Sequence, residues 1–380
     1  PSRGVVEELT LQLAREYITR GHDVTVVVHR HPADLPAADV VEGVPVRRVD
    51  LELPGSDPRR LTGFPFALLR QLRTLDELGP RPDVVHVQCA ANQVLALSLW
   101  TTLRRIPLVL TTQGEVTMDA GRIYQRSAQI RQVLRLGSRR AAVLTACSRR
   151  AGDDAATVAT RFAGCTVVPN GVDPSAFVPV ERDEALTERL GLTGRFVFGY
   201  VSNLDHFREG QELLIDAALE LRRRGVDATA LVVGDGKRRE LLEEHARERQ
   251  AGDAVHFTGR IPHDEVSQYY AQLDVFVIPR VDERAARLVT PLKPYEAMAL
   301  GVPLVVSDLP ALQEITGDGD RGETFVTGDA TSLADVLEEL AGSSERRAEL
   351  SSRAREWVLG HRTWAHNDDR YARIYASVLD

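Results

Sequence analysis

Arg280, Arg284, Arg287 and Lys293 fall within fourteen consecutive positions, and Glu296 follows Lys293 by three. Cations gathered beside one carboxylate are the residue types that hold a phosphate or diphosphate and the hydroxyls attached to it. Their surroundings fit that chemistry. Val275 to Ile278 is a short β-branched apolar run of the kind that forms a buried parallel strand. Thr290-Pro291 reads as a helix start, with Thr as N-cap and Pro in the first turn, where its missing N–H costs nothing. Gly301-Val302-Pro303 reads as the stop, and Leu304 to Val306 as the next buried strand. A strand, a basic loop and a helix N-terminus in that order put backbone N–H groups and the positive end of the helix dipole at Thr290 to Lys293. The competing reading is a loop of solvated charges before an ordinary amphipathic helix, and on charge alone that is the commoner case.

The elements that must position these residues alternate along the whole chain. Helical spacing runs from Arg3 to Arg20, and Val24 to Val28 reads as a buried strand. Asp39 to Asp50 reads as an edge strand or hairpin, and Arg59 to Leu78 as a helix. Strands at Val84 to Val87 and Leu108 to Thr111 flank a helix from Gln93 to Leu103. The polar loop Thr112 to Asp119 then stands at a strand's carboxyl end, where open α/β sheets bind ligands. On it Glu115 is a candidate to contact an acceptor hydroxyl; equally, Glu115 and Asp119 could cap the following helix, Ile123 to Arg135. Ala142 to Ala146 and Thr166 to Val168 are strands, and Ser148 reads as an N-cap. Asn170-Gly171 marks a tight turn, and 174–193 reads as a linker with a short helix from Glu184 to Leu190. Alternation restarts with strand Phe196 to Val201 and helix Glu209 to Arg224. Strand Ala228 to Val233 then runs into Gly234-Asp235-Gly236, a weak phosphate signal that serves equally well as a turn into helix Lys237 to Gln250. Strand Val255 to Thr258 ends at Gly259-Arg260-Ile261-Pro262, and helix Asp264 to Ala271 leads back to the basic stretch. Beyond it stand helices at 311–316, 332–341, 344–359 and 364–378, with a glycine-rich turn at Gly317 to Gly322.

The segment Pro291-Leu292-Lys293-Pro294-Tyr295-Glu296-Ala297-Met298-Ala299-Leu300-Gly301-Val302-Pro303, continuing to Asp308, resembles the donor-site segment of glycosyltransferase family 4. The chain is similar to the branch with a Thr-Pro-Leu-Lys segment preceded by Pro-Arg. The resemblance extends to Arg20 to Val28 and to Pro169-Asn170-Gly171-Val172-Asp173. It implies a GT-B fold, two Rossmann-like doubly wound α/β domains facing a central cleft. The expected boundaries are an acceptor-side domain at 1–178, a donor domain at 179–360 and a last helix, 361–380, crossing back. It also implies that Glu296 takes the ribose hydroxyls and that Arg280 and Lys293 sit near the diphosphate. Gly4, Ser202, Arg208, Gly234, Arg260, Ile261, Arg284, Thr290, Pro291 and Leu292 border the donor by the same resemblance. Because the family's Gly-x-x-Glu follows a first strand and glycine loop, the expectation is that such a strand precedes Gly4 in the complete protein.

Four positions depart from the family pattern. Leu288 stands where the first glutamate of the motif falls, Gln113 where many relatives have His, Asn203 where many have Arg, and Glu209 where many have Lys. A site for a dianion needs its cations, so Arg208 and the cluster at 280–293 must replace what is lost if the chain is an active transferase. The expectation is a retaining, metal-independent transfer from a UDP- or GDP-linked sugar to a glycan, glycolipid or natural-product hydroxyl, with Glu115, Arg280 and Lys293 as catalytic candidates and no cofactor. The alternatives are an idle sugar-nucleotide-binding subunit and a sugar-nucleotide epimerase.

Composition narrows the classes further. With 380 residues, 43% hydrophobic and 27% charged, the chain can bury two cores. A net charge of −8 gives no general attraction to nucleic acid. Arg139-Arg140, Arg149-Arg150 and Arg222 to Arg224 read as helix surfaces, with a peripheral membrane contact as the alternative. Three widely spaced cysteines argue for buried free thiols rather than disulfides or zinc, and a cytoplasmic location is expected.

Overall fold

The computed structural model describes residues 5–32, 34–50, 64–89, 93–113, 127–159 and 165–380. The chain divides into two compact units, Pro1–Pro169 with Trp364–Asp380, and Asn170–Thr363.

The first unit opens with α1 (Val5–Thr19) and β1 (Val26–His29), then β2 (Ala38–Val41) and β3 (Val44–Val49). Glu42 and Gly43 both have positive φ, so β2 and β3 close a two-residue hairpin of the kind whose twist suits antiparallel strands. β3 also pairs in parallel with β1, giving the order β1-β3-β2. β1 is half-buried at Val26 and Val27 and exposed at Val28 and His29, rather than the buried strand its valines predict. Then follow α2 (Phe64–Asp76), β4 (Val85–Val87), α3 (Gln93–Arg104), β5 (Leu108–Thr112), α4 (Ala128–Ser138), β6 (Val143–Ala146), α5 (Arg149–Val158) and β7 (Thr166–Val167). Strands β4 to β7 form a parallel sheet in sequence order. Ser148 caps α5 as its position predicts, accepting from the Ala151 N–H. The expected starts of the helices at Arg59 and Ile123 lie outside the described residues.

The second unit contains α6 (Glu184–Arg189), β8 (Phe196–Val201), α7 (Glu212–Arg223), β9 (Ala228–Val233), α8 (Arg239–Glu248), β10 (Val255–Gly259) and α9 (Val266–Tyr270). It continues with β11 (Val275–Ile278), α10 (Arg284–Leu288), α11 (Lys293–Ala299), β12 (Leu304–Ser307), α12 (Pro310–Thr316), β13 (Glu323–Phe325), α13 (Ala330–Gly342) and α14 (Ser344–His361). Its six strands are all parallel, in the order β10-β9-β8-β11-β12-β13. All of β8 but Phe196, and the whole of β9, β11 and β12, are buried, as expected of a sheet covered by helices on both faces. The strand order reverses between β8 and β11. In a doubly wound sheet this switch point opens a crevice at the carboxyl ends of the two strands.

The last helix, α15 (Trp364–Leu379), belongs to the first unit. Tyr371 and Ile374 on it share a core with Tyr17, Val109 and Val168. Tyr375 Oη lies 2.6 Å from His86 Nδ1, and Thr111 Oγ1 is 2.6 Å from the other ring nitrogen.

The division falls at 169/170 and 363/364, against 178/179 and 360/361 expected from the sequence. The reason is local. Val172 N–H donates to Arg362 O at 2.8 Å, Val172 bridges Thr363, and Phe177 packs on the second unit's core. Residues 170–178 therefore belong with the second unit rather than with the first.

Candidate functional site

The loops leaving β8 and β11 meet at the switch point. After β8 the chain runs through Ser202 to Arg208, makes a 3-10 turn over Phe207–Glu209, and passes Gly210 before α7. The helix therefore starts three residues later than the periodicity predicts. Gly210 has φ +64, and a Cβ there would stand 2.0 Å from Pro279 O, so only glycine lets the two loops approach. Val281 N–H donates to Arg208 O at 3.0 Å, a second tie between them.

At the centre of this crossing lies a buried ion pair. Arg280 Nε and Nη2 donate to the two carboxylate oxygens of Glu209 at 3.2 and 3.1 Å, and the side chains are 8% and 9% exposed. Tyr200 Oη donates to Glu209 Oε2 at 2.7 Å, and Arg280 Nη1 donates to Val289 O at 3.0 Å. Ser307 Oγ fixes the Arg280 carbonyl at 2.7 Å. Burial pushes the Glu209 carboxyl up, but Arg280, the Tyr200 hydroxyl and Arg208 outweigh it and hold the group below the usual carboxylate range. Tyr200 is pushed well up, by burial first and by Glu209 second.

This geometry changes the role expected of Arg280. Its guanidinium spans Glu209 and a backbone carbonyl, so the acid at 209 and the base at 280 cancel. Arg208, whose Nε also donates to Glu209 Oε1 at 3.4 Å, and Lys293, paired with Glu296, are each one-third exposed. Lys293 Nζ lies 3.1 Å from Glu296 Oε2, and Tyr270 Oη donates to the same oxygen at 3.2 Å. Glu296, in the first turn of α11, thus has its carboxylate oriented by two donors.

Two further expectations are corrected here. Residues 284–288 form the short helix α10 instead of a loop, and Arg287 on it is paired to Asp282. The following helix begins at Lys293, not at Thr290-Pro291, and the proline in its first turn is Pro294. Thr290 is buried, and its carbonyl accepts from Asn170 Nδ2 at 2.8 Å. Arg280 and Asn170 take the carbonyls of Val289 and Thr290, which holds this segment out of the helix.

On the other side of β8 lie the ends of β9 and β10. Gly234 has φ +134, its N–H donates to Gly259 O at 3.1 Å, and a Cβ on it would stand 1.9 Å from Ser202 O. Ser202, Gly234 and Gly259 are therefore in one layer. Arg260 is exposed just beyond β10, and Ile261 packs against the core. Pro291 and Leu292 are half-buried between α10 and α11, and Arg284 is exposed at the start of α10. Glu115 and Gly4 lie outside the described residues; Gln113 is half-buried at the end of β5. Of the cysteines, Cys147 is buried, Cys89 and Cys165 are half-buried, and all three are free thiols. Burial, with Asp153 nearby, pushes the Cys165 thiol up to about 12.

Sequence reasoning missed Tyr200, Tyr270 and the pairing role of Glu209. The last had a signal: an acid at 209, where many relatives carry Lys, calls for a basic partner, and Arg280 was available.

Among the described residues no group of His, Cys, Asp and Glu could hold a metal ion, and no helix is long and apolar enough to cross a membrane.

A six-stranded parallel sheet of this order defines a doubly wound α/β domain. A family model described as "Glycosyl transferases group 1" matches residues 183–357, and one described as "Glycosyltransferase Family 4" matches 6–176. The chain belongs to glycosyltransferase family 4. It is 32% identical over 210 residues to a GDP-mannose-dependent alpha-(1-6)-phosphatidylinositol monomannoside mannosyltransferase of Mycolicibacterium smegmatis, covering 54% of this chain and 55% of that one. It is 32% identical over 236 residues to a 2-deoxystreptamine glucosyltransferase of Streptomyces kanamyceticus, covering 60% and 58%. The chain thus spans about half the length of these curated relatives. Among solved structures it resembles a sucrose-phosphate synthase from Thermosynechococcus elongatus, with a TM-score of 0.74 at 20% identity over 99% of this chain and 94% of that one. It also resembles Anabaena Alr3699/HepE in complex with UDP, with a TM-score of 0.75 at 18% identity over 99% and 97%. These likenesses show the GT-B fold, with two Rossmann-like domains.

Proposed function

We propose that this chain transfers a hexosyl or N-acetylhexosaminyl group from a nucleoside-diphosphate sugar to a hydroxyl acceptor, with retention at the anomeric carbon and without a metal. The observation that carries the reading is that the strands flanking the switch point, β8 and β11, lead into the segments that carry Arg208 on one side and Lys293 and Glu296 on the other, with the two loops tied by the Val281 N–H to Arg208 O bond. Glu296, oriented by Tyr270 and Lys293, accepts from the ribose hydroxyls. Lys293 and Arg208 offset the charge that grows on the departing diphosphate, the part a metal clamp plays elsewhere. The anomeric C–O bond to the diphosphate breaks, and the acceptor oxygen bonds to that carbon on the same face. The acceptor's proton passes to the leaving phosphate oxygen.

The relatives named above support UDP- or GDP-linked donors and either a glycolipid or an aminocyclitol acceptor. The test is release of nucleoside diphosphate from UDP- and GDP-hexoses in the presence of EDTA, with the product anomer read by NMR. Metal-insensitive release with an α-linked product from an α-linked donor supports the proposal; an inverted product or full loss with EDTA contradicts it. A second reading, an idle sugar-nucleotide-binding subunit, draws on the neutral Glu209–Arg280 pair. Tight nucleotide binding with neither transfer nor donor hydrolysis would favour it.

A further inference from the structure

The Glu209–Arg280 pair does more than fill the core. It is built from two loops that leave adjacent strands on either side of the switch point, and each end of it leads to a one-third exposed cation, Arg208 on one side and Lys293 on the other. On one side Glu209 is the direct neighbour of Arg208, whose carbonyl is held by the Val281 N–H. On the other side Arg280 Nη1 holds Val289 O, the last carbonyl before the segment that delivers Lys293. Tyr200, rooted in β8, aims the Glu209 carboxylate with its 2.7 Å hydrogen bond. A guanidinium is planar and forked, so it can bind both oxygens of one carboxylate while presenting a third N–H elsewhere. Arg280 uses its fork in this way. An apolar pair of equal volume would fill the same space but could not aim at Val289 O.

We propose that Glu209 and Tyr200 are positioning residues for the donor's diphosphate: Glu209 holds Arg208 directly, its Oε1 accepting from Arg208 Nε at 3.4 Å, and acts on Lys293 through Arg280 and the Val289 carbonyl, without touching the donor itself. The inference rests on the donor-site reading above. It assigns the acid at 209 a function at a position where a cation is usual in the family. It also predicts that the pair governs recognition of the diphosphate more than of the nucleoside, because Glu296 keeps its hydrogen bond from Tyr270 when Lys293 shifts, and the ends of β9 and β10 are held by contacts of their own.

The experiment compares nucleoside diphosphate with monophosphate. The wild-type chain is titrated by calorimetry with UDP, GDP and ADP, and the tightest is carried forward with its own monophosphate. In Glu209→Gln the preference for diphosphate over monophosphate is expected to fall about tenfold, while monophosphate affinity stays within about threefold of wild type. Tyr200→Phe, which removes one hydrogen bond and keeps the ring, is expected to lower the same preference about threefold. It decides the matter if Glu209→Gln does not fold. A preference unchanged in the folded variants, or both affinities falling in parallel, would show a purely structural pair and overturn the inference. A wild-type chain that binds none of these three is titrated with CDP and dTDP as well, and one that binds none of the five overturns the donor-site reading and this inference together, which separates the two failures.

Discussion

Two residues that look alike in the sequence have different work. Arg280 and Lys293 are both cations on the stretch that leads into α11, yet one is buried against Glu209 and the other is exposed beside Glu296. Removing one partner of a buried pair strands the other charge, at a cost of roughly 3–5 kcal/mol. Arg280→Ala is therefore expected to lose stability of about that size in a denaturant titration, and activity with it. Lys293→Ala is expected to unfold within about 1 kcal/mol of wild type, because the lysine end of its ion pair is one-third exposed and the mostly buried Glu296 keeps its hydrogen bond from Tyr270. Its turnover is expected to drop on the order of tenfold to a hundredfold. Equal loss of stability in both variants would contradict this division of labour. The cations themselves were legible in the sequence. Their separation into a structural and a facing group was not, because Glu209 is 71 residues from Arg280.

At the scale of elements, most strands and helices follow from period and punctuation. The parallel strands of the second unit are short β-branched runs, and helices end at Gly301 and Gly317, both with positive φ. What the period could not give is the start of the helices at the crevice. Three carbonyl or glycine constraints set them: Gly210 against Pro279 O, Val289 O on Arg280, and Thr290 O on Asn170. The strand β13 (Glu323–Phe325) was also missed, since three residues after a glycine-rich turn carry too little pattern. The loop approach gives a prediction at this scale. Gly210→Ala places a methyl into Pro279 O at a positive φ, and is expected to cost about 2 kcal/mol or more in thermal unfolding. Gly225→Ala, also at positive φ but with open space around it, is expected to cost less, on the order of 1 kcal/mol. Equal costs would mean that the loops can part without penalty.

At the scale of the whole molecule, acid acts on the first unit in two opposing ways. In the first unit burial keeps the His86 ring neutral, with its pKa pushed down to about 3. The unfolded chain takes up that proton near pH 6.5, so this contribution to stability is present above pH 6.5 and is lost as pH falls towards 3. Asp368 in the same unit runs the opposite way. Burial, then Glu16 nearby, raises its carboxyl to about 7, against a countering pull from Arg20. The fold keeps a proton that the unfolded chain releases near pH 3.8, so its contribution is present below that and is lost as pH rises to 7. Asp368→Asn is therefore expected to stabilise the chain by roughly 1–3 kcal/mol at pH 8 and by little at pH 4. Denaturant titrations at the two pH values check it, and a gain that is larger at pH 4 would contradict it. None of this was legible beforehand, because burial of His86 by Tyr371 and Tyr375 joins segments nearly 290 residues apart. The direct test of the central claim, a donor site at the β8–β11 switch point, is thermal stabilisation by UDP, GDP, ADP, CDP and dTDP. At about a hundred times its dissociation constant, a bound nucleotide adds roughly 2.7 kcal/mol. One of the five is expected to raise Tm clearly, and Glu296→Ala is expected to abolish that rise. No rise with any of them, or a rise that survives Glu296→Ala, would contradict it.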